Sequence, residues 1–461
     1  MKINKSFIYF ICCVSAMGGL LFGYDWVVIG GAKPFYEAYF AISDNPSKQG
    51  LAMSIAIAGC LVGAMVSGFF ADRYGRKPLL VFSAIVFLLS AYMTGAVDTF
   101  VPFLIARLIG GVAIGVASGL SPMYIAEVSP SDTRGRMVSI NQLTIVLGIL
   151  AAQIVNYLIA EPMPAGMELP PLDSWNCQYG WRYMFWAEAL PSMLFLMLVL
   201  FIPESPRWLM MNGRADKASS IFTSIGGGDY AKAEIEAIGK ADKDRSCERG
   251  LSLTVFLRKP YLSLIVLGIV IAVFQQWCGT NVIFNYAQEI FANAGYDLGE
   301  MLFNIVLTGV TNVVFTIVAL FAVDRIGRKK LMQLDSGGLF AIYLTLGTCY
   351  YFGVSGFMMA VLVMLAIACY AMTLGPVTWV LLSEIFPNKV RGMAMSVCTF
   401  ALWTGCFTLT YSFPLLNSGF GSYGTFWLYA AICLAGFIYF SSKLTETKGK
   451  TLEQIEKELT R

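Results

Sequence analysis

Twelve long apolar stretches limit what this chain of 461 residues can fold into. A helix that crosses the hydrocarbon core of a bilayer needs about 20 mostly apolar residues. Only 13% of the residues are charged, whereas about 25% is usual in soluble domains. The sequence therefore predicts an all-α membrane protein with twelve transmembrane helices. The apolar windows are 7–31, 49–71, 78–97, 101–124, 137–160, 181–202, 260–292, 301–323, 330–354, 357–383, 392–416 and 422–443.

Two motifs occur twice in the same order, which indicates that a large unit has been duplicated. Asp-Arg-x-Gly-Arg-Lys occupies residues 72–77 and 324–329, and Glu-x-x-Pro-x-x-x-Arg-Gly occupies residues 127–135 and 384–392. The two spacings, 252 and 257 positions, are nearly equal, as expected for an internal repeat. Parallel repeats that each contain several membrane helices are typical of transporters built from two halves.

The repeat predicts two pseudo-symmetric six-helix bundles. The expected divisions are an N-terminal bundle at 1–202, a cytoplasmic linker with short helices at 203–259, a C-terminal bundle at 260–443 and a cytoplasmic tail at 444–461. Cytoplasmic loops are enriched in Lys and Arg. Placing both termini in the cytoplasm puts 28 of the 32 basic residues on that side. Lys33 and Lys48 then fall in the first outer loop.

Three ionisable residues lie inside predicted spans. A charge at the centre of a membrane helix costs about 2.5 to 3.5 kcal/mol on insertion scales, so such residues are functional candidates. Asp25, Arg107 and Glu188 are predicted to share one depth, roughly 10 Å from the outer face. They would form either a structural ion pair or a proton switch, and a chain without histidine must use a carboxylate for such a switch. Asp335 is expected to face a wet vestibule.

Uncharged amides are concentrated in the fifth, seventh and eighth windows. Amides inside a membrane must find a partner in another helix or in a ligand, and this set suits a neutral polyhydroxylated solute. Trp379 and Trp403 could stack on an apolar sugar face or simply pack. The amides are Asn141, Gln142, Gln275, Gln276, Asn281, Asn285 and Asn312.

Two helices are expected to be broken. On an ideal helix Gln276 and Asn281 lie about 140° apart and cannot share a face. A break near Gly279-Thr280 would let them converge. A second break is expected at Gly375-Pro376, because unwound segments are where carriers build binding sites.

Several motifs together resemble one known family, the sugar porter branch of the major facilitator superfamily, along almost the whole chain. The motifs are Gly23-Tyr24-Asp25, both Asp-Arg-x-Gly-Arg-Lys loops, Pro122-Met123-Tyr124-Ile125-Ala126-Glu127, Pro203-Glu204-Ser205-Pro206-Arg207, Gln275-Gln276 with Asn281, and Gly375-Pro376-Val377-Thr378-Trp379. The resemblance implies two six-helix bundles, a central sugar site and alternating access.

The resemblance also assigns roles to residues. Proton symporters of this family keep an aspartate after Gly-Tyr and an arginine in the fourth helix, which Asp25 and Arg107 match, with Glu188 nearby. The resemblance implies sugar contacts at Gln142, Gln275, Gln276, Asn281, Asn312 and Trp379, and the expected sugar-binding set also includes Phe22, Asn285, Gly375 and Trp403. The expected cytoplasmic gate, closed in the outward-open state, is Asp72, Arg73, Arg76, Glu127, Arg134, Glu204, Arg207, Asp324, Arg325, Arg328, Glu384 and Arg391.

Some positions depart from the family pattern. Ile149 stands where xylose-transporting members have a glutamine and glucose facilitators have isoleucine. Asn285 replaces a tyrosine, Cys406 replaces an asparagine, and Thr445 replaces the proline of the tail motif. A hexose, a pentose or both therefore remain open as substrates.

The sequence predicts a proton-coupled symporter that imports a monosaccharide, an aldose such as D-xylose or D-glucose, across a bacterial inner membrane. The alternatives are an uncoupled facilitator and a sugar sensor without transport; a multidrug exporter would not need these amides. No enzymatic activity, metal site, cofactor or nucleic-acid partner is expected. The expected partners are the sugar, the proton and the lipid bilayer, and the protein is expected to be a monomer.

Overall fold

The computed structural model describes residues 3–130, 133–162, 171–248, 259–386 and 391–448. Within these ranges the chain is helical and contains no strand. A π-helical turn spans Asn176–Gly180. The helices are α1 (Lys5–Tyr39), α2 (Pro46–Tyr74), α3 (Arg76–Ala96), α4 (Phe100–Val128), α5 (Arg134–Ile159), α6 (Trp181–Trp186), α7 (Ala189–Val199), α8 (Pro206–Met211), α9 (Ala215–Glu248), α10 (Lys259–Trp277), α11 (Thr280–Asn293), α12 (Leu298–Ile326), α13 (Arg328–Tyr351), α14 (Phe357–Met372), α15 (Leu374–Ile385) and α16 (Arg391–Lys443).

Ten segments of the described chain are long and apolar enough to cross a membrane. The predicted window 330–354 is also helical, as α13, but polar residues lower its hydropathy below that of the other spans. Windows 392–416 and 422–443 form one continuous segment, which would be more than twice the thickness of a bilayer if straight. Gly421, with φ +67°, bends it at the boundary between the two windows. All twelve windows are therefore helical.

The two expected helix breaks are present, one of them displaced. Gly279, with φ +91°, separates α10 from α11, so the break near Gly279-Thr280 is confirmed. The second break lies at Thr373 rather than at Gly375-Pro376, because α14 ends at Met372 and α15 begins at Leu374. Pro376 lies in the first turn of α15, where backbone N–H groups lack intrahelical partners and a proline is tolerated.

The polar insert between the two sets of spans forms α8 and α9. The helix α9 spans 34 residues and contains several charged residues. It is bent at Gly227, where φ is +84°. The non-helical Gly227 thus divides α9 into two shorter helices, and the role of the insert as a cytoplasmic linker stays a prediction.

The chain divides into two compact units, and their boundaries fall inside membrane helices. The first unit contains Met1–Asp25, Gly59–Gly148 and Phe185–Gly250; the second contains Trp26–Ala58, Ile149–Met184 and Leu251–Arg461. The second unit thus combines segments of α1, α2, α5 and α6 with the later helices. The four-part division at residues 202, 259 and 443, which follows the repeat, stays a prediction.

Large apolar side chains are exposed along the described chain. Leu158, Leu190, Phe201, Phe321 and Phe357 each expose about two thirds or more of their surface. So much exposed apolar area would drive association in water. It is what a helical protein presents to lipid, where the exposed faces of the spans must be apolar.

Candidate functional site

A buried charge cluster lies in the first unit, where α1, α4 and the segment before α7 meet. Asp25, Arg107 and Glu188 are each 2% exposed. The Arg107 guanidinium donates through Nη1 to Asp25 Oδ1 and through Nη2 to the Asp25 carbonyl oxygen, the latter at 3.2 Å. It also lies over the ring of Phe185, 5.3 Å from the ring centre. The structure thus brings together the three residues that the sequence singles out.

The charges of this cluster do not balance unless it holds one proton. Asp25 lies within hydrogen-bonding reach of the Glu188 carboxyl, and Arg107 attracts the same carboxyl. Two buried carboxylates beside one guanidinium leave an uncompensated negative charge, which costs several kcal/mol in a buried site. Asp25 Oδ2 and Glu188 Oε1 have no hydrogen-bond partner among the described residues. Each carboxyl of the cluster therefore has one oxygen to which no described donor is bonded.

A glycine leaves room beside the open oxygen of Asp25. Gly110 follows Arg107 by three residues on α4, and a methyl group at Gly110 would lie 3.7 Å from Asp25 Oδ2 and would collide with Ser90 Oγ. Ser90 Oγ instead donates to the Ala106 carbonyl oxygen, at 2.9 Å. A larger residue at Gly110 would therefore displace the side chains beside Asp25 Oδ2.

Amides converge across the break between α10 and α11 in the second unit. Asn281 donates to Gln276 Oε1, so the convergence that the sequence predicts for these two residues is confirmed. Gln276 Nε2 lies 3.4 Å from Gln275 Oε1, and Gln275 Nε2 lies 3.5 Å from the Gly375 carbonyl oxygen. The last two contacts are long and therefore weak, so shorter hydrogen bonds to the hydroxyls of a sugar could replace them.

The other predicted sugar contacts differ in exposure. Asn285 and Asn312 are buried. Trp379 exposes 39% of its surface, whereas Trp403 exposes 6% and packs on Trp26 with ring centres 6.1 Å apart. Trp379 is therefore the more accessible of the two indoles, and its contact with a sugar stays a prediction. Phe22 on α1 and Gln142 on α5 belong to the first unit and are partly buried there.

The first Asp-Arg-x-Gly-Arg-Lys loop is closed by two glutamates. Glu204 accepts the backbone N–H groups of Arg76, at 2.9 Å, and Lys77, at 3.2 Å. The Arg76 guanidinium forms two hydrogen bonds with the Glu127 carboxylate, at 2.9 and 3.0 Å. Ser205 Oγ donates to the same carboxylate at 2.5 Å. The loop is therefore fastened both at its backbone and at its arginine.

The second loop repeats this arrangement with a glutamate that the sequence motifs do not reveal. Glu446 accepts the backbone N–H groups of Arg328, at 2.9 Å, and Lys329, at 3.2 Å. Arg328 pairs with Glu384 at 3.0 Å, and Thr447 Oγ1 donates to Glu384 at 2.6 Å. Glu446-Thr447 thus corresponds to Glu204-Ser205. An acidic residue followed by a hydroxyl is the sequence signal that the two sites share.

The remaining gate residues contribute less to these contacts. Asp72 lies 3.4 Å from Arg76, Arg73 stacks on its neighbour Tyr74, and the Arg325 carbonyl oxygen accepts from Lys448 Nζ at 2.6 Å. Each of these hydrogen bonds and ion pairs joins residues of a single unit. The closure of a gate between the halves by these residues stays a prediction. Arg134 and Arg207 are partly buried, and the side chains of Asp324 and Arg391 lie outside the described residues.

The two loop-closing glutamates differ in pKa. Burial raises the pKa of the Glu204 carboxyl above its ordinary value, although backbone donors oppose this effect. Burial also acts to raise the pKa of Glu446, but four backbone N–H donors outweigh it and hold that pKa below its ordinary value. Glu446 is therefore the carboxylate that the folded loop stabilises in its charged form.

A second charge cluster lies near the other end of α1, in the second unit. Lys33 belongs to α1 and is buried, so its expected position in an outer loop is wrong. Its Nζ lies 3.1 Å from Glu37 and 3.1 Å from Glu289. Asn417 Nδ2 donates to Glu289 at 2.6 Å. The sequence does not reveal this cluster, because the apolar window ends two residues before Lys33.

Long apolar helices around a buried amide set and a buried ion cluster define a multi-span membrane transport protein. The family model described as "Sugar (and other) transporter" matches residues 11–459, and the chain belongs to this family. It is a transporter of the sugar porter branch of the major facilitator superfamily, not an enzyme, and the fold class expected from the sequence is confirmed.

Similar proteins cover nearly the same length. The chain is 35% identical to the D-xylose-proton symporter of Escherichia coli strain K12, over 99% of this chain and 96% of the relative. It is 36% identical to the arabinose-proton symporter of Bacillus subtilis strain 168, over 98% and 95%. A solved structure, the inward open conformation of the xylose transporter XylE from E. coli, superposes with a TM-score of 0.85 at 34% identity and covers 98% of this chain and 99% of that chain.

Replacing Glu446 by glutamine should destabilise the protein at neutral pH by about 1 kcal/mol, because charged acceptors bind N–H donors more strongly and this site is partly exposed. A carboxyl whose pKa is lowered on folding stabilises above its unfolded pKa and loses this effect as the pH falls. The melting temperatures of wild type and Glu446→Gln should therefore converge on acidification. Thermal unfolding in detergent, followed over pH, measures this.

Glu204→Gln is the matched control for that experiment. The Glu204 pKa is raised, so its stabilising contribution is full below the unfolded pKa and declines as the pH rises. On acidification the melting temperature of wild type should therefore rise relative to that of Glu204→Gln. This trend is opposite to that of wild type and Glu446→Gln, whose melting temperatures should converge. Parallel pH profiles for both pairs would contradict the assignment.

Replacing Lys33 by methionine should lower the melting temperature, because two carboxylates lose their cation. Truncating one partner of a buried ion pair costs about 3 to 5 kcal/mol, and the 23% exposure of Glu289 should reduce this to about 2 kcal/mol. Lys48→Met, at an exposed lysine, is the control. A double exchange, Lys33→Glu with Glu289→Lys, should recover part of the loss. Equal melting of Lys33→Met and wild type would refute the role of this cluster.

Proposed function

We propose that this protein is a proton-coupled monosaccharide symporter that imports an aldose by alternating access. The observation that carries the proposal is the buried cluster of Asp25, Arg107 and Glu188, in which one cation serves two carboxyls. The named symporters of D-xylose and arabinose among its relatives support both the substrate class and the proton.

The cluster supplies a switch with two arrangements. When Asp25 is ionised, it holds Arg107 through its carboxylate and its backbone oxygen. If the single proton of the cluster lies at Asp25 Oδ2 instead of on Glu188, Asp25 loses its negative charge, its pair with Arg107 weakens, and Glu188 is the ionised carboxyl. Arg107 then has Glu188 as its remaining anionic neighbour, so protonation exchanges its partner. Such an exchange is a bistable element that a proton can bias.

Helix α1 connects this switch to the sugar amides. Gly30 follows Asp25 by five residues on α1, and a methyl group there would lie 2.9 Å from the Asn285 carbonyl oxygen and 3.2 Å from that of Phe284. α1 and α11 are therefore in close backbone contact at Gly30. Because α11 also carries Asn281, a change in the position of α1 would displace α11 and with it the amide set.

The amide at position 153 bears on which aldose is bound. Ile149 is buried on α5 and carries no hydrogen-bonding group. One turn further, Gln153 is 1% exposed, its Nε2 lies 3.4 Å from Thr308 Oγ1, and its Oε1 has no partner among the described residues. Gly309 makes room for that oxygen. Thr308 lies one turn from Asn312, so Gln153 can supply to a sugar the amide that is absent at Ile149.

We further propose that the protein is a monomer in a bacterial inner membrane with both termini in the cytoplasm. The distribution of Lys and Arg supports the orientation, and the exposed apolar side chains support a lipid-facing surface.

Asp25→Asn should abolish sugar accumulation driven by a pH gradient while leaving sugar exchange across the membrane. With one proton per sugar, a gradient of one pH unit supports about tenfold accumulation. Purified protein in liposomes should reach this limit as wild type and show no accumulation as Asp25→Asn. Asp44→Asn, at an exposed acid, is the control. An uncoupled facilitator is indicated instead if wild type does not accumulate sugar, or if Asp25→Asn still does.

Gln153→Leu should weaken binding of the transported aldose about tenfold, since the loss of one buried hydrogen bond to a ligand costs roughly 1 to 3 kcal/mol. Competition by a panel of aldoses against labelled D-xylose and D-glucose measures the change and identifies the substrate. Gln333→Leu serves as the control, because Gln333 bonds Ser441 and not the amide set. An unchanged ranking and affinity in Gln153→Leu would exclude Gln153 from the sugar site.

A further inference from the structure

Asp335 is a carboxyl that neither the proton cluster nor the sugar set uses. It lies on α13, is fully buried at 0% exposure, and does not face the wet vestibule that the sequence predicts. Its partners are Thr373 Oγ1, at 2.6 Å, and the backbone N–H of Leu374. Both partners lie at the break between α14 and α15.

No cation balances this carboxyl among the described residues. The titratable side chains around it are phenols and thiols, which are ordinarily uncharged at neutral pH. They come from its own helix, from α14, from the break between α10 and α11, and from α16: Tyr343, Tyr370, Cys369, Cys278 and Cys433. A buried carboxylate without a cation is costly, whereas a buried carboxylic acid is tolerated when its hydrogen is bonded.

The hydrogen bonds at the break indicate where the hydrogens lie. The Thr373 backbone N–H donates to Tyr370, at 3.2 Å, and so does not serve the Cys369 carbonyl oxygen. Thr373 Oγ1 lies 2.5 Å from that oxygen and 2.6 Å from Asp335 Oδ1. A hydroxyl has one hydrogen and a carbonyl oxygen has none. If the hydroxyl donates to Cys369, the contact with Asp335 needs a hydrogen from Asp335.

We propose that Asp335 is a neutral carboxylic acid that donates to Thr373 and, by fastening the break between α14 and α15, positions the sugar site. Asp335 is thus a positioning residue and does not itself touch the sugar. This inference rests on the proposed function, because the site it positions is the proposed aldose site.

The break determines the positions of two groups of that site. Gly375 follows Thr373 by two residues, and its carbonyl oxygen faces Gln275 Nε2 at 3.5 Å. Trp379 lies on the same helix, one turn further, and is the exposed indole. Thr373 has φ −119° and ψ −88°, outside the helical range. A hydrogen bond that holds this residue therefore fixes the start of α15 and the positions of both groups.

Two replacements of Asp335 and two of Thr373 test this hydrogen bond. Asparagine can donate through Nδ2 and accept through Oδ1, so Asp335→Asn should bind the aldose within about threefold of wild type. Leucine can do neither, so Asp335→Leu should raise KM about tenfold with little change in kcat, the expected effect of one lost buried hydrogen bond. Thr373→Ser should behave like wild type, and Thr373→Val like Asp335→Leu.

Two further measurements separate positioning from proton transport and from general loss of structure. Accumulation driven by a pH gradient should have the same pH profile in Asp335→Asn as in wild type. In infrared difference spectra at neutral pH, wild type should show a protonated carboxyl band that Asp335→Asn lacks. If Asp335→Leu fails to fold, Thr373→Val carries the test, because valine has nearly the shape of threonine.

Three results would overturn the proposal: unchanged KM in Asp335→Leu and Thr373→Val, equal damage in Asp335→Asn and Asp335→Leu, or an Asp335→Asn variant that binds sugar normally but no longer accumulates it. Failure of the proposed function is a different result, namely that wild type binds no aldose. In that case the melting temperatures decide: Asp335→Leu and Thr373→Val should melt lower than their asparagine and serine counterparts, and equal melting would overturn the fastening role.

Discussion

A charge inside a bilayer must be neutralised where it lies, because the hydrocarbon core offers no water to solvate it. Arg107 is the clearest case. Its guanidinium is 2% exposed, it is charged at any accessible pH, and the groups beside it are Asp25, Glu188 and the face of Phe185. The guanidinium charge is therefore fixed, and only the carboxyls can change. Proton coupling at this cluster must therefore depend on the two carboxyls, because the charge of the guanidinium does not change.

The two halves share the device that closes their cytoplasmic loops and differ in what they hold in the membrane. Each loop gives two backbone N–H groups to a glutamate, Glu204 in one half and Glu446 in the other. In contrast, the buried pair of Asp25 and Arg107 belongs to the first half, and the helix break at Gly279 belongs to the second. The repeated motifs thus share one way of closing a loop, whereas the buried ion pair and the helix break beside the amides each occur in one unit only among the described residues.

Much of the fold follows from the sequence because hydropathy and helix geometry are local properties. The apolar windows identify the helices, and the angle between Gln276 and Asn281 requires the break that the structure contains at Gly279. The second break is displaced to Thr373 because a proline in the first turn of a helix breaks nothing. Lys33 is expected outside the helix because a hydropathy window ends at a charge, whereas Glu37 and Glu289 neutralise that charge and allow the helix to continue.

Other features of the site depend on long-range contacts that no local pattern contains. Glu446 is not evident from the sequence because Thr445 replaces the proline of the tail motif, although an acidic residue and a hydroxyl residue still follow it. Asp335 is expected to face water because charged residues near the end of an apolar window usually lie at a wet surface. The packing of α14 and α15 against α13 instead buries it, and this packing is not evident from the sequence. The roles of the sugar-binding residues rest on resemblance and stay predictions.

One helix takes part in both ion clusters. α1 carries Asp25, which pairs with Arg107 on α4, and eight residues later Lys33, which pairs with Glu289 on α11. Turning α1 about its axis by the angle of a single residue, about 100°, would carry Asp25 away from Arg107 and Lys33 away from Glu289, and only the pair of Lys33 with Glu37 on the same helix would remain. α1 can therefore tilt or bend with its charges paired, but it cannot roll unless both clusters exchange partners together. A rotation of this helix would therefore break two buried ion pairs at once, each of which is costly to leave unpaired.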